Sequence, residues 1–85
     1  IWMPMDKKDQ LAELISNAET SFYNGQLQEA FSLSLSAIKL DENCADAYQY
    51  AANVCMSLSR YEDAIEYYQK VQIYIMLITQ IEMNL

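Results

Sequence analysis

Tyr61-Glu62-Asp63-Ala64-Ile65-Glu66-Tyr67-Tyr68-Gln69-Lys70, continued by Val71, is the stretch that decides the fold. Its apolar stripe, Tyr61, Ala64, Ile65, Tyr68 and Val71, follows the i, i+3, i+4, i+7 spacing of a single helix face. Ser59 followed three residues later by Glu62 has the form of a capping box, so a helix is expected from about residue 60 onward.

Working back toward the N-terminus, the same periodicity appears three more times. Tyr48, Ala51, Ala52, Cys55 and Leu58 form one stripe, with Asn43 as a candidate cap, and predict a helix over about 44 to 57. Leu27, Ala30, Phe31, Leu35 and Ile38 predict another over 27 to 40, ended by the polar run Asp41-Glu42-Asn43. Asp6 can cap a first helix over 7 to 23, whose face carries Leu11, Leu14, Ile15, Ala18 and Phe22. Asn24-Gly25 ends it, because both residues tolerate a left-handed backbone. Short turns between helices imply antiparallel neighbours, so the expectation is an all-α fold of two helical hairpins.

The hairpins repeat in phase. With the chain laid over itself at the period of one hairpin, Leu14 falls on Tyr48, Ala18 on Ala52, Leu27 on Tyr61, Ala30 on Ala64 and Ala37 on Val71. The alanines would let backbones approach while Leu14, Tyr48 and Tyr68 fill the space between them. On these residues the chain resembles the tetratricopeptide repeat (TPR) family, with Tyr48 at the aromatic position, Ala52 at the small one, and Tyr61, Ala64 and Tyr68 in the second helix. The resemblance covers about residues 11 to 75. It departs at Asn17, where an apolar residue is usual, at Ser34, where an aromatic is usual, and at Met76, which replaces a proline. The organisation it implies is a first hairpin over 6–44 and a second over 45–85. Residues 1–5, Ile1-Trp2-Met3-Pro4-Met5, read as an N-terminal remnant or tail.

Composition narrows the function. A chain of 85 residues supports one small domain of marginal stability, and 53% hydrophobic residues with one Gly and one Pro suit helices rather than a many-stranded sheet. Twelve acidic against five basic residues give a net charge of −7, which repels nucleic acid and anionic lipid. No stretch reaches the roughly 18 apolar residues of a membrane span. Cys44 and Cys55, within or at the start of one helix, stand roughly 16 Å apart along its rise, so no disulfide joins them. Two unpaired thiols fit a reducing, cytoplasmic compartment, with Cys55 a small core residue.

No histidine is present, which removes the commonest general base and metal ligand. Neither a phosphate-cradling glycine loop nor a nucleophile–base pair can be assembled. The carboxylate pairs Asp41-Glu42 and Glu62-Asp63 lie at helix ends, where solvation and the helix dipole already favour acids. No catalytic residue, cofactor or metal is therefore expected.

The resemblance to TPR proteins instead implies a protein-binding module, an adaptor or scaffold, whose concave groove is lined by the first helix of each hairpin. Here that groove would display Ile15, Glu19, Phe22 and Tyr23 from one hairpin and Gln49, Asn53 and Met56 from the other, a surface suited to a basic or amphipathic protein segment or peptide. Chaperone-binding members grip a terminal carboxylate with Lys and Asn; Ile15, Glu19 and Tyr50 stand in that region, so this clamp is not expected. Tyr48, Tyr61 and Tyr68 occupy packing positions, leaving Tyr23, Tyr50, Tyr67 and Tyr74 as candidate contact residues.

Val71-Gln72-Ile73-Tyr74-Ile75-Met76-Leu77-Ile78-Thr79-Gln80-Ile81-Glu82-Met83-Asn84-Leu85 is the second decisive stretch. Ten of its fifteen residues are apolar, and no Gly or Pro interrupts it, so the last helix can run from Tyr61 to near Leu85, roughly 37 Å. Val71, Ile75, Ile78 and Leu85 are expected to pack on a second copy, making a homodimer by swapping or antiparallel helix pairing. The alternative is a break near Gln72 that folds the tail over its own repeat, or leads to an anchor, as in a fragment of a membrane-associated receptor or co-chaperone.

Overall fold

In the computed structural model, residues 6–83 are described and form four helices, α1 (Lys7–Tyr23), α2 (Leu27–Leu40), α3 (Ala45–Ser57) and α4 (Tyr61–Met83), with no strand among them. These bounds agree to within one residue with those expected from periodicity and punctuation. The expected tail over 1–5, and Leu85 of the self-association set, lie outside the described residues. α1 packs on α2, α2 on α3 and α3 on α4, while α1 also touches α3.

The helix ends explain the order. Asp6 caps α1 by accepting the Asp9 N–H on its carboxylate at 2.9 Å. In the following turn Gly25 takes the left-handed conformation at φ +80, whereas Asn24 stays at φ −85, so of the two residues expected there only Gly25 is left-handed. The Gly25 N–H donates to the Phe22 carbonyl at 3.1 Å and the Gln26 N–H to the Ser21 carbonyl at 2.8 Å. At the matching place in the second hairpin, the Ser59 N–H donates to the Met56 carbonyl at 3.1 Å and the Arg60 N–H to the Cys55 carbonyl at 2.8 Å. Both turns are the same Schellman closure, which satisfies carbonyls that a helix end leaves open.

This identity revises two expected caps. Ser59 occupies the position of Gly25 and carries its φ, at +61, a conformation costing a side chain about 1 kcal/mol. It therefore finishes α3 rather than capping α4, and its hydroxyl meets that of Tyr61 at 3.5 Å instead of closing a box with Glu62. Asn43 does not cap α3 either. Its N–H donates to the Asp41 carboxylate at 3.0 Å, and Cys44 stands at the cap position without a side-chain bond.

The core is built from small side chains. Ala18, Ala30, Ala37, Ala47, Ala51, Ala52 and Ala64 are completely buried, and the largest side chains fully enclosed are Val54, Cys55 and Ser34. Ser34 satisfies its hydroxyl within its own helix by donating to the Ala30 carbonyl at 2.8 Å. Alanines bring the helices close, but each removes little apolar area from water, so a core of this kind gives modest stability.

Tyrosines supply the bulk at one side. The Tyr48 ring lies 6.3 Å from that of Tyr67 and 5.8 Å from that of Tyr74, with the Lys70 ammonium 5.5 Å over its face. The hydroxyls of Tyr48 and Tyr74 both donate to the Glu42 carbonyl, at 2.9 and 2.8 Å. Burial, with the neighbouring Tyr74 next in weight, pushes the Tyr48 phenol above its usual range. Tyr67 also reaches α2, edge-on to Phe31 at 6.4 Å.

The inner stripe of α4 is thus Ala64, Tyr67, Val71 and Tyr74, rotated from the expected one. Tyr61 and Tyr68, expected to pack, are 55% and 38% exposed, and Ile65 is 55% exposed. The physical reason is that α4 has α3 on one flank and no helix on the other among the described residues. The helix does not break near Gln72 but continues to Met83, about 34 Å in all. Its free end raises the Cα radius of gyration to 14.2 Å, against about 12 Å for a compact chain of this length.

Candidate functional site

Two surfaces qualify as sites, and neither is an enclosed pocket. The first lies between α1 and the start of α3, where Lys8, Leu11, Ala12, Ile15, Ser16, Glu19, Cys44 and Asp46 line a shallow cavity of about 410 Å³. Leu11 and Ile15 are half-buried and make its floor, while Glu19 and Asp46 are exposed and make an acidic rim opposite Lys8. The helical period explains the grouping, since Leu11, Ile15 and Glu19 follow one another at i, i+4, i+8 on α1.

One turn further along, Tyr50 enters from α3. Burial pushes its phenol up, followed by the charge of the Glu19 carboxylate, with Tyr23 and Asp46 adding to the shift. Tyr23 is 74% exposed, its ring edge-on to Phe22 at 5.5 Å. The structure therefore gathers Ile15, Glu19, Phe22 and Tyr23 along α1 and adds Tyr50 and Asp46 from α3.

The other three expected groove residues sit elsewhere. Asn53 turns to α4, where its side-chain oxygen accepts the Tyr68 hydroxyl. Gln49 is exposed, and Met56 is 46% exposed. On α3 these residues occupy the flank that corresponds, one hairpin earlier, to Ile15, Glu19 and Phe22. None of the three lines this cavity. Tyr50 was readable as an aromatic without a core position; its pairing with Glu19 depends on helix crossing, which spacing alone does not give.

The second surface is the outer side of α4. Ile73, Ile75, Met76, Leu77 and Ile78 are each 51–61% exposed, and they lie on every side of the helix. Val71 of the expected self-association set is half-buried between Tyr67 and Tyr74, whereas Ile75 and Ile78 are 55% exposed. The hollow over Ile73, Met76 and Leu77 is single-helix surface, open to water.

Elsewhere the polar residues are engaged locally. Arg60 and Asp63 form an exposed ion pair at 3.7 Å, worth little by itself. Burial pushes the Cys55 thiol up, disfavouring the thiolate form. Among the described residues no group of His, Cys, Asp or Glu is placed to hold a metal ion, and no helix is long and apolar enough to cross a membrane. The chain matches no protein-family model, no curated protein and no solved structure.

Proposed function

We propose that this chain is a protein–protein interaction module, built as two TPR-like hairpins, that binds a basic or amphipathic peptide segment between α1 and α3 and self-associates through α4. The observation that supports it is the pair of matching turns, Phe22-Gly25 in one hairpin and Met56-Ser59 in the other, with the same two backbone hydrogen bonds in each. Matching turns give each hairpin the same geometry, which is how a helical repeat arranges its first helices side by side along one face.

The chemistry of that face suits a cationic partner. Ile15 and Leu11 offer an apolar floor, Glu19 and Asp46 offer negative charge at the rim, and the exposed Tyr23 supplies an aromatic anchor. The protein's charge of −7 steers positive segments toward it. A reducing, cytoplasmic setting agrees with two unpaired cysteines.

Fluorescence anisotropy with a labelled Lys/Leu amphipathic helical peptide tests the groove. Binding should weaken by about 2 kcal/mol in Glu19→Lys/Asp46→Lys, with helicity unchanged because both side chains are exposed. Equal affinity in the double variant would place the peptide elsewhere.

A further inference from the structure

The repeat lets the two ends of the molecule be compared position by position. In α3, Ala47, Ala51 and Val54 are fully buried, whereas their α1 counterparts, Glu13, Asn17 and Thr20, are all exposed. Thr20 satisfies its hydroxyl on its own helix, donating to the Ser16 carbonyl at 3.0 Å. α1 thus presents a polar face that asks for no neighbour.

α4 does the opposite. In α2, Leu27 and Phe31 are half-buried and Ser34 is fully buried; their α4 counterparts, Tyr61, Ile65 and Tyr68, are 55%, 55% and 38% exposed. A face that lies within the stack on α2 is apolar and open on α4. Stacking α1 of another copy against it would set Glu13 and Asn17 on Ile65 and Tyr68, burying polar groups without partners. The two ends do not complement each other, so an open head-to-tail series is disfavoured.

The α4 face does complement itself. From Tyr61 a 4-3 spacing runs through Ile65, Tyr68, Gln72, Ile75 and Thr79 with no charge on it. The midpoint of this seam, Tyr61 to Thr79, lies between Tyr68 and Gln72. An antiparallel second α4 centred there sets Ile65 opposite Ile75, Tyr68 opposite Gln72 and Tyr61 opposite Thr79, so every position of the seam meets another position of it. The Tyr68 hydroxyl, held by Asn53, fixes that ring in the seam.

We infer that two copies pair through α4, antiparallel about a two-fold axis between Tyr68 and Gln72, in a closed dimer. This rests on the self-association reading above and adds its geometry. Sedimentation equilibrium of the full chain should give twice 9.8 kDa, with no larger species as concentration rises. Ile65→Lys/Ile75→Lys, at two exposed positions, should weaken the dimer by about 100-fold or more while circular dichroism shows the chain still folded. In a Cys44→Ser background, a mixture of Ile65→Cys and Ile75→Cys chains should be joined by oxidation, whereas a mixture of Thr20→Cys and Ile65→Cys chains should not cross-link. A strict monomer would overturn both this pairing and the self-association reading, including one that is monomeric alone and binds only phosphatidylcholine vesicles. A series of growing masses, or Thr20→Cys to Ile65→Cys cross-links, would overturn the two-fold geometry alone. An unchanged dimer in the lysine variant would place the contact away from this face.

Discussion

The two halves of α4 share one unbroken helix and differ in what holds them. From Tyr61 to Tyr74 the helix has an inner face: Ala64 is buried, Tyr67 and Tyr74 stack on Tyr48, and Val71 lies between them. Its other sides carry Glu62, Asp63, Glu66 and Lys70, so that half is an ordinary amphipathic helix. From Ile75 to Gln80 no side chain is buried, and Ile75, Met76, Leu77 and Ile78 are all more than half exposed. The lesson is about where helix stability comes from. Ile75, Ile78 and Thr79 are β-branched and favour helix poorly, and a helical segment this short is marginal in water even when rich in good formers. No surface among the described residues covers the distal half.

The harshest way to probe this contrast is Met76→Pro. Proline removes one backbone hydrogen bond and clashes with the carbonyl of Gln72, a cost of about 3 kcal/mol or more in a helix interior. Far-UV circular dichroism should lose only the distal turns, the urea midpoint of the remaining body should hardly move, and the population should shift toward monomer. Collapse of the whole chain would show that the distal half belongs to the folded body after all.

A gentler probe is Tyr74→Phe, at the boundary between the halves. It deletes the 2.8 Å bond to the Glu42 carbonyl and keeps the ring on Tyr48, so a loss of about 1 kcal/mol is expected by urea denaturation. Because Tyr48 still donates to the same carbonyl, the acceptor is not left bare. A loss several times larger would mean that this one tether holds α4 on α3.

Much of the fold was legible because helix ends are local. Asp6, Gly25 and the apolar periodicity place four helices to within a residue, since caps and turns depend on near neighbours in the chain. The phase of the tyrosines in α4 was not legible. Tyr61, Ile65 and Tyr68 have the spacing of a packed stripe, yet a stripe only says which residues share a face, and whether another helix covers that face is a property of the assembly. Ser59 misled for a related reason: serine before Glu62 has the form of a cap, but the left-handed turn inherited from the position of Gly25 takes it first. For the groove, spacing puts Ile15, Glu19, Phe22 and Tyr23 along one side of α1. It could not show that Asn53 accepts the Tyr68 hydroxyl across to α4, while Tyr50 comes within the field of the Glu19 carboxylate on the other side.

The central claim is that the distal half of α4 is ordered by another copy of the chain. Amide hydrogen exchange of the intact protein, read residue by residue at low and high concentration, tests it most directly. Protection across Val71–Gln80 should rise with concentration while that of α1 and the Tyr48 region of α3 stays nearly constant. Exchange over Val71–Gln80 that is fast and independent of concentration would contradict the account.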